Sequence, residues 1–346
     1  MSAFVPGIEL SRAFYAEVVG PLLAPYPHSA ALIGPGSEVL EFDTERSADH
    51  DWGPRVLVFA APELVAEVEE KVAAALPAVF GGYPTVFEQR GELRSGVTVA
   101  EAGSWLRGRL GFDPGRAVTL LDWLSAPWQS LAEVTCGEVF HDGLGELGRA
   151  RQALRWYPDD VWRYVLACQW RRVAQEESFA GRCAEVGDEV GSAVVGGRLA
   201  RELMRLALLQ RRRYPPYAKW LGSAVNRLSG AAELGEALGR AMAARTWPER
   251  EEGLCAAYER AAALHNRLAL TDPLDAKARP YFDRPFQVIG GERFAEALLA
   301  SITDPRVRRL PLAGCVDQLC DNADLLLRPA AARALTSAAL GGSCGW

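Results

Sequence analysis

Apolar residues in the first third of the chain follow two kinds of pattern. From Ile8 to Leu23, Leu10, Phe14, Val18 and Leu22 recur at helical spacing and predict an opening helix. The unbroken runs Ala30 to Ile33 and Val56 to Ala61 predict short buried strands, and Val97-Thr98-Val99 a third. Glu38 to Phe42 reads as a short helical turn between the first two. Pro62 to Leu76 returns to the helical period, with proline at its start and Leu64, Val65, Val68, Val72 and Leu76 along it. Phe80 to Arg94 holds Gly81-Gly82 and Pro84 and reads as a loop or a short strand pair.

From Trp123 onward the pattern is almost wholly helical. Ser125 to His141, Pro158 to Ala184, Asp188 to Arg213, Tyr217 to Leu228, Ala231 to Ala244 and Glu249 to Leu268 all carry apolar residues three or four apart. Breaks fall at Gly143-Leu144-Gly145, Pro215-Pro216, Gly230, Pro248 and Pro273, and Pro280 to Pro329 reads as short helices and loops. No internal repeat, low-complexity tract or long linker interrupts the series. The expectation is an α/β domain over 1–118 followed by an all-α helical-bundle domain over 119–346.

Composition narrows the setting. The chain has 346 residues, 49% hydrophobic and 24% charged, enough for a substantial core. No apolar run is long enough to span a membrane, and the first 23 residues lack a basic-then-apolar secretory pattern, so the sequence predicts a cytoplasmic protein without a membrane partner. A net charge of −6 argues against bulk nucleic-acid binding. The seven cysteines are irregularly spaced, and the closest pair, Cys315 and Cys320, has no histidine on its segment. They read as reduced, packed thiols. Only three lysines, Lys71, Lys219 and Lys277, occur among 38 basic residues.

The chemistry concentrates between the first two strands. After Ile33 comes Gly34-Pro35-Gly36-Ser37, a turn whose backbone amides can meet an anion. Asp49-His50-Asp51 follows twelve residues after Ser37. If that triplet is extended, both carboxylates lie on one face, where they repel each other unless a cation sits between them. His50 would point the other way. A phosphate-cradling turn beside paired aspartates suits Mg²⁺-dependent phosphoryl or nucleotidyl chemistry. Read alone, Asp-His-Asp is equally a solvated turn.

Gly-Ser followed after a gap by Asp-x-Asp resembles the signature of the nucleotidyltransferase superfamily, which includes DNA polymerase beta and the aminoglycoside and lincosamide nucleotidyltransferases. The longer strings Pro6-Gly-Ile-Glu-Leu-Ser-Arg12 through Ser47-Ala-Asp-His-Asp-Trp-Gly-Pro-Arg55, and Trp170 to Arg182 with Gly187 to Ser192, are similar to one bacterial branch of it. That branch is known mainly as a domain of unknown function with a nucleotidyltransferase-like start. The resemblance implies Asp49 and Asp51 as catalytic Mg²⁺ ligands and Gly36 and Ser37 on the triphosphate. It also implies a third carboxylate on a later core strand. Thr98 stands where that acid is expected, and Glu101 is the nearest carboxylate; either Glu101 serves as the metal ligand or the site is one ligand short. In relatives a helical-domain glutamate activates the acceptor and a helical-domain lysine binds phosphate. Here these roles fall to Glu176 or Glu177 and to Lys219; Arg55, just after the aspartate pair, either does similar work near the phosphates or simply pairs with an acid.

Arg198, Arg201 and Arg205 form a stripe on one helical face. Such a stripe is ordinarily solvated; as a phosphate-binding face it adds Arg201 and Arg205 to the nucleotide contacts. The aromatics of Trp156-Tyr157, Trp162 to Tyr164 and Tyr214 to Trp220 read mainly as bundle core. Phe140-His141-Asp142-Gly143 hints at a metal phosphohydrolase, but a second His-Asp cluster is missing. The phosphate-loop, dinucleotide and nucleophile-elbow motifs are absent from the sequence.

The leading expectation is therefore a Mg²⁺-dependent enzyme that moves a nucleoside monophosphate from an NTP, ATP first among them, to a hydroxyl or amine of a small molecule. Two alternatives stay open. One is a nucleotide-binding protein that kept the fold without transfer. The other is a biosynthetic enzyme that condenses its substrate through a nucleotidyl ester.

Overall fold

In the computed structural model, residues 4–49, 52–89 and 92–341 are described. The chain folds as two units, Met1–Val118 with Ser130–Arg155, and Thr119–Gln129 with Trp156–Trp346.

The first unit is built on a four-stranded mixed sheet. Its order is Glu138–Asp142, Ser29–Leu32, Val56–Phe59, Val97–Ala100. Ser29–Leu32 runs antiparallel to both neighbours, while Val56–Phe59 and Val97–Ala100 are parallel, with Leu57 opposite Thr98. A parallel pair cannot be joined by a tight turn, and the connection here carries the helix Val65–Ala75 and two small hairpins, Val79–Phe80 with Tyr83–Pro84 and Val86–Gln89 with Glu92–Ser95.

Strand alternation divides the side chains between two cores. Val56, Val58 and Val97 join Phe14, Leu23, Val68 and Val72 on one face. Leu57, Phe59 and Ala100 join Ile33, Ala102, Trp105 and Leu147 on the other. Because both faces are covered, Ser29–Leu32 is buried along its whole length and shows no polar alternation. Each fully buried side chain of this kind stabilises the fold by roughly 1.5–3 kcal/mol.

The opening helix forms as expected but is not uniform. Gly7–Phe14 and Gly20–Leu23 are α-helical and are joined by a π-helical turn over Tyr15–Val19. Asp43 accepts the amide of Gly7 at 2.7 Å, tying the start of this helix to the loop before the second strand. The fourth strand is a correction. Ser125 to His141 reads as one helix in the sequence, whereas the helix is Trp128–Thr135 and Glu138–Asp142 is a strand. Gly137, at φ +67°, makes the turn between them, and a Cβ there would lie 2.0 Å from the carbonyl oxygen of Leu32.

The second unit is helical. Glu189–Gln210, Ala218–Asn226, Ala232–Ala243 and Trp247–Arg267 match the periodic segments of the sequence to within a few residues, whereas Pro158 to Ala184 divides into two helices, Asp159–Glu176 and Phe179–Glu185. Gly291–Ala300 packs against Asp159–Glu176, where Trp170 stacks on Phe294 with ring centres 4.3 Å apart. A second aromatic group joins Trp123, Trp156, Tyr157 and Tyr214. These rings are core, as their clustering predicts. No helix among the described residues is long and apolar enough to cross a membrane. The six described cysteines are free thiols.

Candidate functional site

The turn after the first strand is shaped by two glycines at positive φ, Gly34 at +93° and Gly36 at +149°. At Gly34 the indole of Trp105 closes in to 3.1 Å of where a Cβ would stand. Ser37 precedes the one-turn 3₁₀ helix Glu38–Leu40, and its carbonyl accepts the amides of Leu40 and Phe42. The amides of Gly36, Ser37 and Glu38 have no acceptor among the described residues. Unsatisfied N–H groups gathered on one turn are donors for an anion.

Beside this turn, at the end of the sheet, lies a cavity of about 420 Å³ lined by Pro35, Arg55, Leu57, Thr98, Trp105 and Phe87 among others. Its size is in the range of small-molecule sites, roughly 300–1,000 Å³, and it mixes aromatic walls with guanidinium groups. Arg55 is committed within it. Its guanidinium pairs with the carboxylate of Glu38, which is 8% exposed, and donates to the carbonyl of Pro35 at 2.8 Å. Arg55 thus holds the turn in shape as well as bringing charge to the cavity rim. Glu38, adjacent to the Gly-Ser pair in sequence, was not among the expected site residues; an acid directly after such a turn is its only local signal.

Glu45–Asp49 is a 3₁₀ helix, so Asp49 does not continue an extended strand, and the second core strand starts only at Val56. The side chain of Asp49, and all of His50 and Asp51, lie outside the described residues. Trp52, Gly53 and Pro54 are buried, Trp52 meets Tyr83 edge-on at 4.6 Å, and Arg55 already lines the cavity. Among the described residues no group of three or more His, Cys, Asp or Glu could hold a metal ion.

Thr98 is exposed and lines the cavity, opposite Leu57 in register. Glu101 is used differently from the expectation of a metal ligand. It caps the helix Ala102–Leu110, accepting the amides of Gly103 at 2.7 Å and Ser104 at 2.5 Å, with Arg107 at 3.5 Å. Hydrogen bonding from Ser104 first, then from Gly103 and with the charge of Arg107, holds its carboxyl below the usual range against the opposing effect of burial.

In the helical unit the two adjacent glutamates separate. Glu177 is buried and accepts the amides of Ile289 and Gly290 at 2.9 Å and of Gly291 at 3.2 Å, at the start of the helix Gly291–Ala300. Burial raises its carboxyl above the usual range although these three amides pull it down. Glu176 pairs with Arg198 through both oxygens. Lys219 is exposed at the start of Ala218–Asn226, with Nζ 4.3 Å from the ring centre of Trp220.

Arg201 and Arg205 do not form a solvated stripe. Glu202 is 3% exposed and is met by Arg201 at 2.9 Å, Arg172 at 3.1 Å and Arg205 at 3.6 Å, as well as by the amide of Gln169 at 2.7 Å. Burial is the largest influence on its carboxyl, yet the guanidinium groups of Arg205 and Arg172 and the amide of Gln169 outweigh it and hold Glu202 low. Arg205 also donates to the carbonyl of Asp317 at 3.2 Å and stands over Trp128 at 5.5 Å.

One family, described as "Domain of unknown function (DUF4037)", matches residues 123–221. The match takes less than a third of the chain and covers Glu176, Glu177, Arg201, Arg205 and Lys219 but not the Gly36-Ser37 turn. None of the curated proteins and none of the solved structures compared with the chain matches it.

Proposed function

We propose that the chain binds a nucleoside triphosphate in the cavity beside Gly36-Ser37 and transfers its nucleoside monophosphate to a hydroxyl or amine of a small molecule. The observation that carries the reading is the position of that cavity. It is lined by Arg55, Thr98 and Pro35, the residue directly before Gly36-Ser37. Gly36 and Ser37 offer backbone donors for phosphate oxygens, Arg55 adds a cation held by Glu38, and Trp105 and Phe87 offer faces for a base. Those donors fit a polyphosphate. Asp49 and Asp51 are the residues that would hold Mg²⁺, which when bound neutralises phosphate charge.

In the transfer, a lone pair of the acceptor forms a bond to the α-phosphorus, the α–β bridging bond breaks, and pyrophosphate leaves with that electron pair. The acceptor proton goes to a base. Glu176 is the candidate for that base within the helical unit, because it is partly exposed and held by a side chain, Arg198, whereas Glu177 is buried on backbone amides. Lys219 is that unit's candidate phosphate contact, while Arg201 and Arg205 are occupied by Glu202 and the chain around Asp317.

A second reading, nucleotide binding without transfer, draws on Thr98 standing in the cavity wall where a third acid is expected and on Glu101 being spent as a helix cap. Calorimetry with the four NTPs, with and without Mg²⁺, alongside pyrophosphate release over a panel of small acceptors, separates the two. Metal-dependent release that disappears in Asp49→Asn and Asp51→Asn supports transfer. Undiminished turnover in both variants sinks the assignment, and binding with no release favours the second reading.

A further inference from the structure

The helical unit holds a second polar cavity, of about 280 Å³, that none of the roles above uses. Arg172 reaches it from the helix Asp159–Glu176, Arg198 and Arg201 reach it from Glu189–Gln210, and Asp317, Gln318, Cys320 and Asp321 close it. We propose that this cavity binds a small oxyanion, a phosphate or carboxylate group carried by a metabolite.

The argument begins with the charge balance. Arg172, Arg201 and Arg205 all converge on Glu202, and one buried carboxylate neutralises one of the three. Burial, with the like charges of Arg201 and Arg172, pulls the guanidinium of Arg205 below its ordinary value despite Glu202 and Asp317. The charges of Arg172, Arg198, Arg201 and Arg205 are matched by Glu202, Glu176, Asp317 and Asp321, so an incoming oxyanion competes with the exposed pairs Arg198–Glu176 and Arg201–Asp321. Asp317 is turned to the amide of Trp128 at 2.8 Å. Asp321, whose side chain is 67% exposed, meets Arg201 in solvent, where such a pair is worth little and is readily displaced. Arg198 is exposed beyond its pair with Glu176.

The second strand of the argument is donor geometry. Arg172 donates Nε to Glu202 and Nη1 to the carbonyl of Gln318 at 2.7 Å, which fixes its plane and leaves Nη2 with no acceptor among the described residues. A guanidinium fixed on one edge and open on the other is preorganised for a planar or tetrahedral oxyanion. Arg198 lines the cavity from the neighbouring helix, with Nε and Nη2 on Glu176 and Nη1 making no hydrogen bond to a described residue. The site stands apart from the nucleotide reading, since none of its residues lines the sheet cavity.

The experiment is calorimetric titration of the full chain with inorganic phosphate and, separately, malonate, at ionic strength matched with chloride. We expect saturable binding of at least one of the two, and the stronger arm identifies the headgroup. Arg172→Gln and the exposed Arg198→Gln should each weaken it by about tenfold, whereas Arg267→Gln on another helix should leave it unchanged. Arg198→Gln keeps the test decisive if Arg172→Gln disturbs folding. Heats indistinguishable from the chloride control, or affinity unchanged in Arg198→Gln, overturn the proposal. Phosphate held at the Gly36-Ser37 turn would survive Arg198→Gln and so counts against it. Loss or retention of NTP turnover does not bear on it.

Discussion

The guanidinium of Arg55 lies where a side chain at residue 36 would have to go. A Cβ on Gly36 would stand 2.2 Å from Nη2 of Arg55 and 2.7 Å from both carboxylate oxygens of Glu38. The turn, the ion pair and the cavity rim are therefore one object. A change at any of the three positions should be felt at the other two.

Gly36→Ala should destabilise the protein by about 2 kcal/mol, combining backbone strain at positive φ with displacement of the pair. Gly82→Ala separates the two contributions: its φ is +87° and nothing lies within 4 Å of its Cβ, so it should show the strain alone, about 1 kcal/mol. Urea midpoints of the two variants give the comparison. Equal losses would mean that Arg55 and Glu38 move aside freely.

Thr98→Asp places a carboxylate in the cavity wall, opposite Leu57. We expect it to tighten Mg²⁺ binding in the presence of nucleotide by about tenfold, as a missing oxygen ligand is restored. Titration of Mg²⁺ at saturating NTP measures this. An unchanged or weakened affinity would mean that the native ligand set is already complete.

Glu177→Gln keeps the shape of the side chain but removes the charge and one acceptor oxygen from three backbone amides. The expected cost is about 1–3 kcal/mol, read as a lower urea midpoint. Glu176→Gln removes one half of a partly exposed pair with Arg198 and should cost under about 1 kcal/mol. Similar losses at both positions would contradict the division of roles between these neighbours.

His265 supplies a pH signature. Burial lowers its pKa to about 4; its ring faces the indole N–H of Trp170 at 3.3 Å and the hydroxyl of Thr271 at 3.1 Å. The unfolded chain takes up this proton near pH 6.5 and the folded chain only near 4, so stability is full above about 6.5 and falls as pH drops toward 4. The loss attributable to this ring is about 3 kcal/mol. His28, also lowered by burial, acts in the same direction. Unfolding free energies at pH 7 and 4.5 for the native protein and His265→Asn should diverge less in the variant; parallel pH profiles would remove His265 as the cause.

The parts of the fold that could be read from sequence are those set by local periodicity. Three of the four core strands and the five long helices from 159 to 267 announce themselves by apolar spacing. The fourth strand, Glu138–Asp142, did not, because Ala132, Cys136 and Phe140 sit four residues apart, a separation a helix also satisfies. Gly137 was the one local sign of the break. The Gly-Ser turn was legible because glycine at positive φ leaves a sequence mark. The fate of Arg201 and Arg205 was not, since it depends on contacts with Asp317 and Asp321 more than 100 residues away. Glu101 could have been read as a cap from its place directly before a helix start.

The excursion of Ser130–Arg155 back into the first unit has a practical meaning. A chain severed after residue 118 would lack Glu138–Asp142, and the apolar strand Ser29–Leu32 would become a naked rim with a row of unpaired amides and carbonyls. Such a rim recruits other chains. The two units are therefore not beads to be cut apart at a single point. Whatever the first one binds, it can do so in soluble form only if the polypeptide is carried far enough to seal its own sheet.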